Sequence, residues 1–151
     1  MAGSSGRSAD ERKRDVLAVL ERNGDAFVAT ASRDGKPHLI VVATWWIGSE
    51  IVLATMTSTR TARNLNEGAT ARLAYGPSDD VVMVDARLAG SEPAGDGSSE
   101  LAQGFAAACG WNPGEESGDW TLFRLEPRKI QAYRGYGETS GRDVMLGGEW
   151  L

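Results

Sequence analysis

The chain has 151 residues, 16 basic and 21 acidic, with a net charge of −5 and 41% hydrophobic content, which suits one domain around one ordinary core. An acidic chain without a Lys/Arg block is not built to hold nucleic acid or an anionic membrane surface. The single Cys109 and single His38 exclude an intrachain disulfide and a His/Cys zinc site.

Residues 1–9 are small and polar, with no apolar signal core, and read as a disordered start. Ser8 and Glu11 form a capping-box pattern ahead of the apolar stripe Val16, Leu17 and Leu20, and Gly24 is a natural stop; this predicts a helix over 10–23. The period then changes. A strand over 26–32, the hairpin dipeptide Asp34-Gly35, a second strand over 37–47, a Gly48-Ser49 turn and a third strand over 50–56 make an expected three-strand meander. The middle strand is apolar at both alternate sets: Leu39, Val41, Ala43, Trp45 and Ile47 on one side, Ile40, Val42, Thr44 and Trp46 on the other. Such a strand needs cover on both faces, from the core on one side and from a helix, a cofactor or a second subunit on the other. The apolar run Leu39–Ile47 is about half of a membrane span, so a cytoplasmic protein without membrane contact is expected.

A short helix over 57–67, capped by Thr57, Ser58 or Thr59 and stopped by Gly68, comes next. Strands over 69–75 and 81–89 flank the turn Gly76-Pro77-Ser78-Asp79. A Gly/Pro/Ser linker over 91–99, a small helix over 99–109 and an irregular stretch over 110–119 lead to a last strand over 120–133 and a Gly-rich tail over 135–151. Six strands with two or three short helices predict an antiparallel barrel decorated by helices.

The densest polar constellation is Thr55-Met56-Thr57-Ser58-Thr59-Arg60-Thr61-Ala62-Arg63-Asn64, where a strand ends and a helix begins. Free N–H groups, the positive dipole end, several hydroxyls and two arginines three residues apart suit an anion, phosphate above all. Residues 33–72 carry five basic groups against three acidic ones, whereas 79–119 carry nine acidic groups against Arg87 alone. The plain alternative is an ordinary helix cap with solvated arginines. The five tryptophans fill a core or dimer interface, or form stacking walls for a flat aromatic ligand. No GxSxG elbow accompanies His38, so a hydrolase is not expected, and Cys109 reads as buried and inert.

The order of these elements resembles the pyridoxamine 5′-phosphate oxidase-like, FMN-binding split-barrel superfamily. The resemblance rests on Ala26-Phe27-Val28-Ala29-Thr30, Asp34-Gly35-Lys36-Pro37-His38, the paired tryptophans, Ile51-Val52-Leu53-Ala54-Thr55, the Thr59–Leu65 run and Trp120–Pro127, within residues 15–146. It implies a mainly β (α+β) fold: a six-stranded antiparallel split barrel over 10–134 with short flanking helices. It also implies a homodimer with cofactor sites at the subunit interface, and a tail over 135–151 packed on the barrel or the partner. The implied cofactor is FMN or its deazaflavin analogue of the F420 type. Thr55, Thr57, Ser58, Thr59, Arg60 and Thr61 would hold the phosphate, with Arg63 and Asn64 beside them. Val41, Val42, Ala43 and Thr44 would line the ring, and Tyr133 and Arg142 would reach across from the partner. Thr61, Trp45 and Ile40 stand where the oxidases carry lysine, lysine and arginine, and the oxidase substrate histidine is absent. The implied activity is therefore that of a flavin- or deazaflavin-dependent oxidoreductase acting on a small molecule. A non-catalytic flavin- or haem-binding carrier or sensor is the alternative.

Overall fold

The computed structural model describes residues 6–151. The first five residues of the expected disordered start lie outside the described residues. Ser8 caps α1 (Ala9–Glu21) with both halves of the capping box in place, and Arg12, Val16 and Leu20 bury one helix face. Four-residue spacing explains that face. The left-handed residue that ends this turn is Asn23, φ 52°, not the expected Gly24, and its side-chain oxygen accepts the Trp46 N–H at 2.9 Å.

The sheet runs β2 (Pro37–Ala43), β1 (Asp25–Ala31), β5 (Thr70–Tyr75), β6 (Val81–Pro93), β7 (Trp120–Tyr133), β4 (Ile51–Met56) and β3 (Trp45–Trp46), with every pairing antiparallel. The mainly β split barrel expected from the sequence is present, with helices α2 (Arg60–Gly68) and α3 (Glu100–Cys109) beside it. The β1–β2 loop and the strand after it differ from expectation. Asp34-Gly35 is not a two-residue turn but part of a loop over 32–36, closed by the Ser32 N–H on the Lys36 carbonyl, with Gly35 at φ 82°. The strand expected over 37–47 breaks at Thr44. Its first part pairs with β1 and its second with β4, at opposite ends of the sheet. One residue thus carries the chain from one sheet edge to the other, and that step closes the barrel.

Thr44 is suited to the crossing. It is buried, its N–H and hydroxyl both bond the Gly24 carbonyl, and it accepts the Tyr75 hydroxyl at 2.9 Å. Burial pushes the Tyr75 phenol up to about 12, with the bond to Thr44 opposing the rise. Buried polar groups without such partners would cost about 1–3 kcal/mol each.

Two cores share the β4–β7 ladder. Ile51, Leu53, Phe123 and Leu125 point into the barrel, while Val52, Ala54 and Leu122 point outward beneath Ala102 and Phe105 of α3. Two-sided burial therefore falls on β4, which is uniformly buried from Ile51 to Thr55, and not on the whole of 37–47. Trp45, Trp111 and Trp120 pack on the outer core, with Trp111 edge-on to both Phe105 and Trp120. The own chain covers the Trp45 end of the two-faced segment, because α3 carries Gly104 where a methyl group would overlap the Trp45 ring. Gly104→Ala is expected to cost about 1–3 kcal/mol by overpacking, seen as a lower urea midpoint with an unchanged slope. An unchanged midpoint would mean that α3 does not dock on Trp45. Cys109, at the end of the same helix, is half-buried and lies 3.6 Å from the Thr44 carbonyl; burial pushes its thiol up to about 11.

The tail adds strands. β8 (Asp143–Leu146) pairs with β7, and β9 (Glu149–Trp150) pairs with β8. β6 runs on to Pro93, so part of the expected linker over 91–99 is strand. No helix among the described residues is long and apolar enough to cross a membrane.

Candidate functional site

α2 starts four residues after Met56, the last residue of β4. Its N-cap is Thr59, whose hydroxyl accepts the Ala62 N–H at 3.2 Å. The expected helix over 57–67 thus begins later, and Ala69 (φ 58°), not Gly68, takes the left-handed cap. The first helical N–H groups, Arg60 and Thr61, have no carbonyl one turn back and face forward at the positive dipole end.

The hydroxyls of the run divide into two groups. Thr55 and Thr59 lie 2.9 Å apart, Thr59 also donates to the Met56 carbonyl, and Thr57 pairs with Thr121 at 2.7 Å. These three groups already have partners within the chain. Ser58 is exposed. Thr61 is 1% exposed and its Oγ1 has no hydrogen-bond partner among the described residues. A buried hydroxyl left unsatisfied is costly, so an acceptor near the first turn of α2 would relieve it.

Arg60, Arg63 and Asn64 face the loop after β1 across a cleft of about 230 Å³, whose opposite wall is Lys36, Pro37 and His38, with Ser32 and Asp34 at the rim. Asn64 is buried and donates to Thr30 at 3.0 Å, which ties α2 to β1. Ser32 donates to Asp34, Lys36 lies 3.7 Å from the same carboxylate, and the Ser32 bond holds Asp34 below its ordinary value. Neither Arg60 nor Arg63 has a carboxylate within salt-bridge distance among the described residues, although seven other arginines do. The cleft is therefore cationic and incompletely compensated, which is what an anionic ligand needs. Lys36 and His38 belong to it although the polar run from Thr55 to Asn64 does not contain them. Their signal in the sequence was the loop that returns the chain beside its own start.

The residues expected to line a ring separate. Val41 is 55% exposed on the outer face of β2, whereas Val42 packs on the inner core and Thr44 is buried and bonded as above. Of the four, Val41 is exposed, and Val42 and Ala43 are half-buried. Ile40 packs on the inner core and Trp45 on the outer one, so neither position opens onto the cleft. Tyr133 is half-buried at the end of β7, opposite Val81, and Arg142 is exposed in the tail, its carbonyl accepting the Ala132 N–H. The other end of β7, Trp120, pairs with Met56 near the start of α2. Up to ~40 Å of strand separates the two ends at about 3.3 Å per residue, so one chain does not bring Tyr133 to Arg60.

Near Tyr133 the tail is pinned by an ion cluster. Glu138 accepts from the Arg7 N–H and guanidinium and from the Arg134 N–H, at 2.8–3.3 Å. Arg7 also bonds Asp15 at 3.0 Å, and Arg134 reaches Asp15 and Asp80. Arg12 donates to the carbonyls of Ser140 and Gly141. The Arg7 bond holds the Glu138 carboxyl down at about 2 against an ordinary 4.5. Among the described residues no group of three His, Cys, Asp or Glu side chains is placed to hold a metal ion.

No protein-family model and no curated protein sequence matches the chain. Solved structures do. An F420 reductase aligns at 19% identity and TM-score 0.63, over 75% of this chain and 93% of that one. A putative pyridoxamine 5′-phosphate oxidase from Listeria innocua aligns at 14% identity and TM-score 0.61, over 80% and 96%. A heme-binding protein from Mycobacterium smegmatis aligns at 21% identity and TM-score 0.61, over 94% of this chain but 59% of that one. The chain has the split-barrel fold that these structures share.

Proposed function

We propose that this split barrel binds a phosphate-bearing flavin, FMN or a deazaflavin coenzyme, as a homodimeric oxidoreductase acting on a small molecule. The observation that carries the reading is the uncompensated pair Arg60 and Arg63 at the start of α2, facing Lys36 and His38 across one cleft. Arg60, the first N–H groups of α2 and Ser58 hold the phosphate. Arg63 and Lys36 add charge from the flanks. The buried Thr61 hydroxyl is the orphaned group that the fit would satisfy. Lys36 thereby takes over from the cations that are absent at Ile40, Trp45 and Thr61, with the His38 ring beside it. When bound, the ring supplies hydride or electron transfer, and the chain orients it and keeps water away.

Dimerisation completes the site. Phe27 (50% exposed) sits opposite Val41 (55%), and Leu39 (61%) beside Ala29, so the outer face of the β1–β2 hairpin is an apolar surface without cover. A second copy on this face supports the ring from Val41 and Ala43, and Tyr133 and Arg142 of one protomer serve the cleft of the other. Obligate interfaces commonly bury ~2,000 Å² or more. Light scattering at micromolar concentration is expected to give a dimer mass, and Val41→Glu a monomer. A sharp wild-type monomer peak would contradict this arrangement.

One observation favours a second reading, the non-catalytic haem-binding module. His38, the sole histidine, lines the cationic cleft, where haem propionates and an axial imidazole would both find partners. The absorption spectrum of purified protein separates the two. A flavin or deazaflavin spectrum that bleaches with a reduced nicotinamide or deazaflavin donor supports the oxidoreductase. A Soret band lost in His38→Ala supports the haem module instead.

A further inference from the structure

The β3–β4 turn and the β8–β9 hairpin flank an open pocket of about 340 Å³ that the flavin reading does not use. Trp46, Trp150, Met145, Glu50 and Glu126 are among its lining residues, and no Lys or Arg lines it. The cleft at α2 is its electrostatic opposite. Glu50 bonds Arg124, and Glu126 bonds Arg87 and Arg128, but none of these arginines is part of the cavity wall. A pocket between two indoles suits a cation through the ring quadrupole, and the two carboxylates beside it are each already paired with arginine. The volume lies in the range of small-molecule sites.

The chain itself already places an ammonium group over one of these rings. Lys13 Nζ lies 5.2 Å from the centre of the Trp150 ring. The wall that carries Trp150 depends on glycine: Gly147 and Gly148 turn at φ 60° and 84°, and a Cβ on Gly148 would stand 2.7 Å from Arg128 Nη1. The same wall gives the Gly-rich tail a role. It also separates the two neighbouring tryptophans, since Trp45 packs under α3 while Trp46 lines this cavity.

The geometry points to a binding site for a small alkylammonium cation between Trp46 and Trp150. The test is indole N–H NMR of the full chain, titrated with tetramethylammonium chloride, with tert-butanol as a neutral probe of similar shape and sodium acetate as an anion. Of the five indole signals, those of Trp46 and Trp150, assigned through Trp→Phe variants, are expected to shift saturably with tetramethylammonium. Tert-butanol and acetate are expected to bind at least ~5-fold more weakly, and Trp150→Leu to weaken the cation by a similar factor. Glu126→Gln, which removes one charge at constant shape, provides the same comparison if Trp150→Leu fails to fold. Equal response to tert-butanol, no saturable shift, or shifts confined to Trp45, Trp111 and Trp120 would overturn the assignment. No flavin enters this experiment, so its result is independent of the cofactor reading.

Discussion

Arg60→Ala is expected to weaken FMN or deazaflavin binding by about 10- to 150-fold, the loss of roughly 1.5–3 kcal/mol for a charge-assisted bond to phosphate. Arg60 is exposed and makes no ion pair among the described residues, so its removal leaves no buried partner unsatisfied and the fold intact. The change therefore reads ligand binding and little else. Arg63→Ala, one turn further along α2, is expected to cost less. Arg87→Ala is the control: it lies outside this cleft and is already paired with Glu126 at 3.1 Å. Titration calorimetry on the three variants checks the order of effects. Equal, negligible losses for Arg60 and Arg87 would leave the Thr/Ser/Arg run a plain helix cap.

Glu138→Gln is expected to destabilise the protein by about 1.5–3 kcal/mol, the cost of losing charge-assisted hydrogen bonds in a part-buried cluster. The side chains of Arg7 and Glu138 are only 10% and 8% exposed, so the substitution strands the Arg7 guanidinium with Asp15 as its remaining carboxylate. The same pair sets a pH dependence. A carboxyl held near 2 in the fold and near 4.5 when free contributes its full stabilisation above about pH 4.5 and loses it as the pH falls toward 2. Urea midpoints measured between pH 2 and 6 are expected to fall in the wild type and to vary less in Glu138→Gln. Parallel pH profiles for the two proteins would remove Glu138 from this role.

Much of the barrel was legible because hydrophobic period and turn residues act locally. The capping box at Ser8, the glycine of the β1–β2 loop and the long strand over 120–133 each follow from neighbours within a few residues. Thr44 was not legible as a break. A β-branched residue in an apolar run reads as strand, and only its long-range bonds to Gly24 and Tyr75 reveal the crossing between sheet edges. The apolar character of 37–47 was visible, but its cover was shared out by tertiary structure. α3 takes the Trp45 end, and Leu39 and Val41 stay exposed.

Of the candidate site, the arginines at the start of α2 were readable from spacing, since residues three apart share a helix face. Lys36 and His38 were not, because they reach Arg60 and Arg63 only when the β1–β2 loop folds over α2. Arg7 and Glu138 are 131 positions apart, and no local rule connects them.

Titrating the cofactor-free protein with FMN and with riboflavin, and with the deazaflavin coenzyme and its unphosphorylated ring, tests the central claim most directly. The account predicts that the phosphate carries the affinity, through Arg60, the α2 N–H groups and their neighbours. The phosphorylated member of a pair should bind about 100-fold or more tightly, with the difference largely lost in Arg60→Ala. Equal affinities for phosphorylated and unphosphorylated rings, or no binding of either, would contradict it.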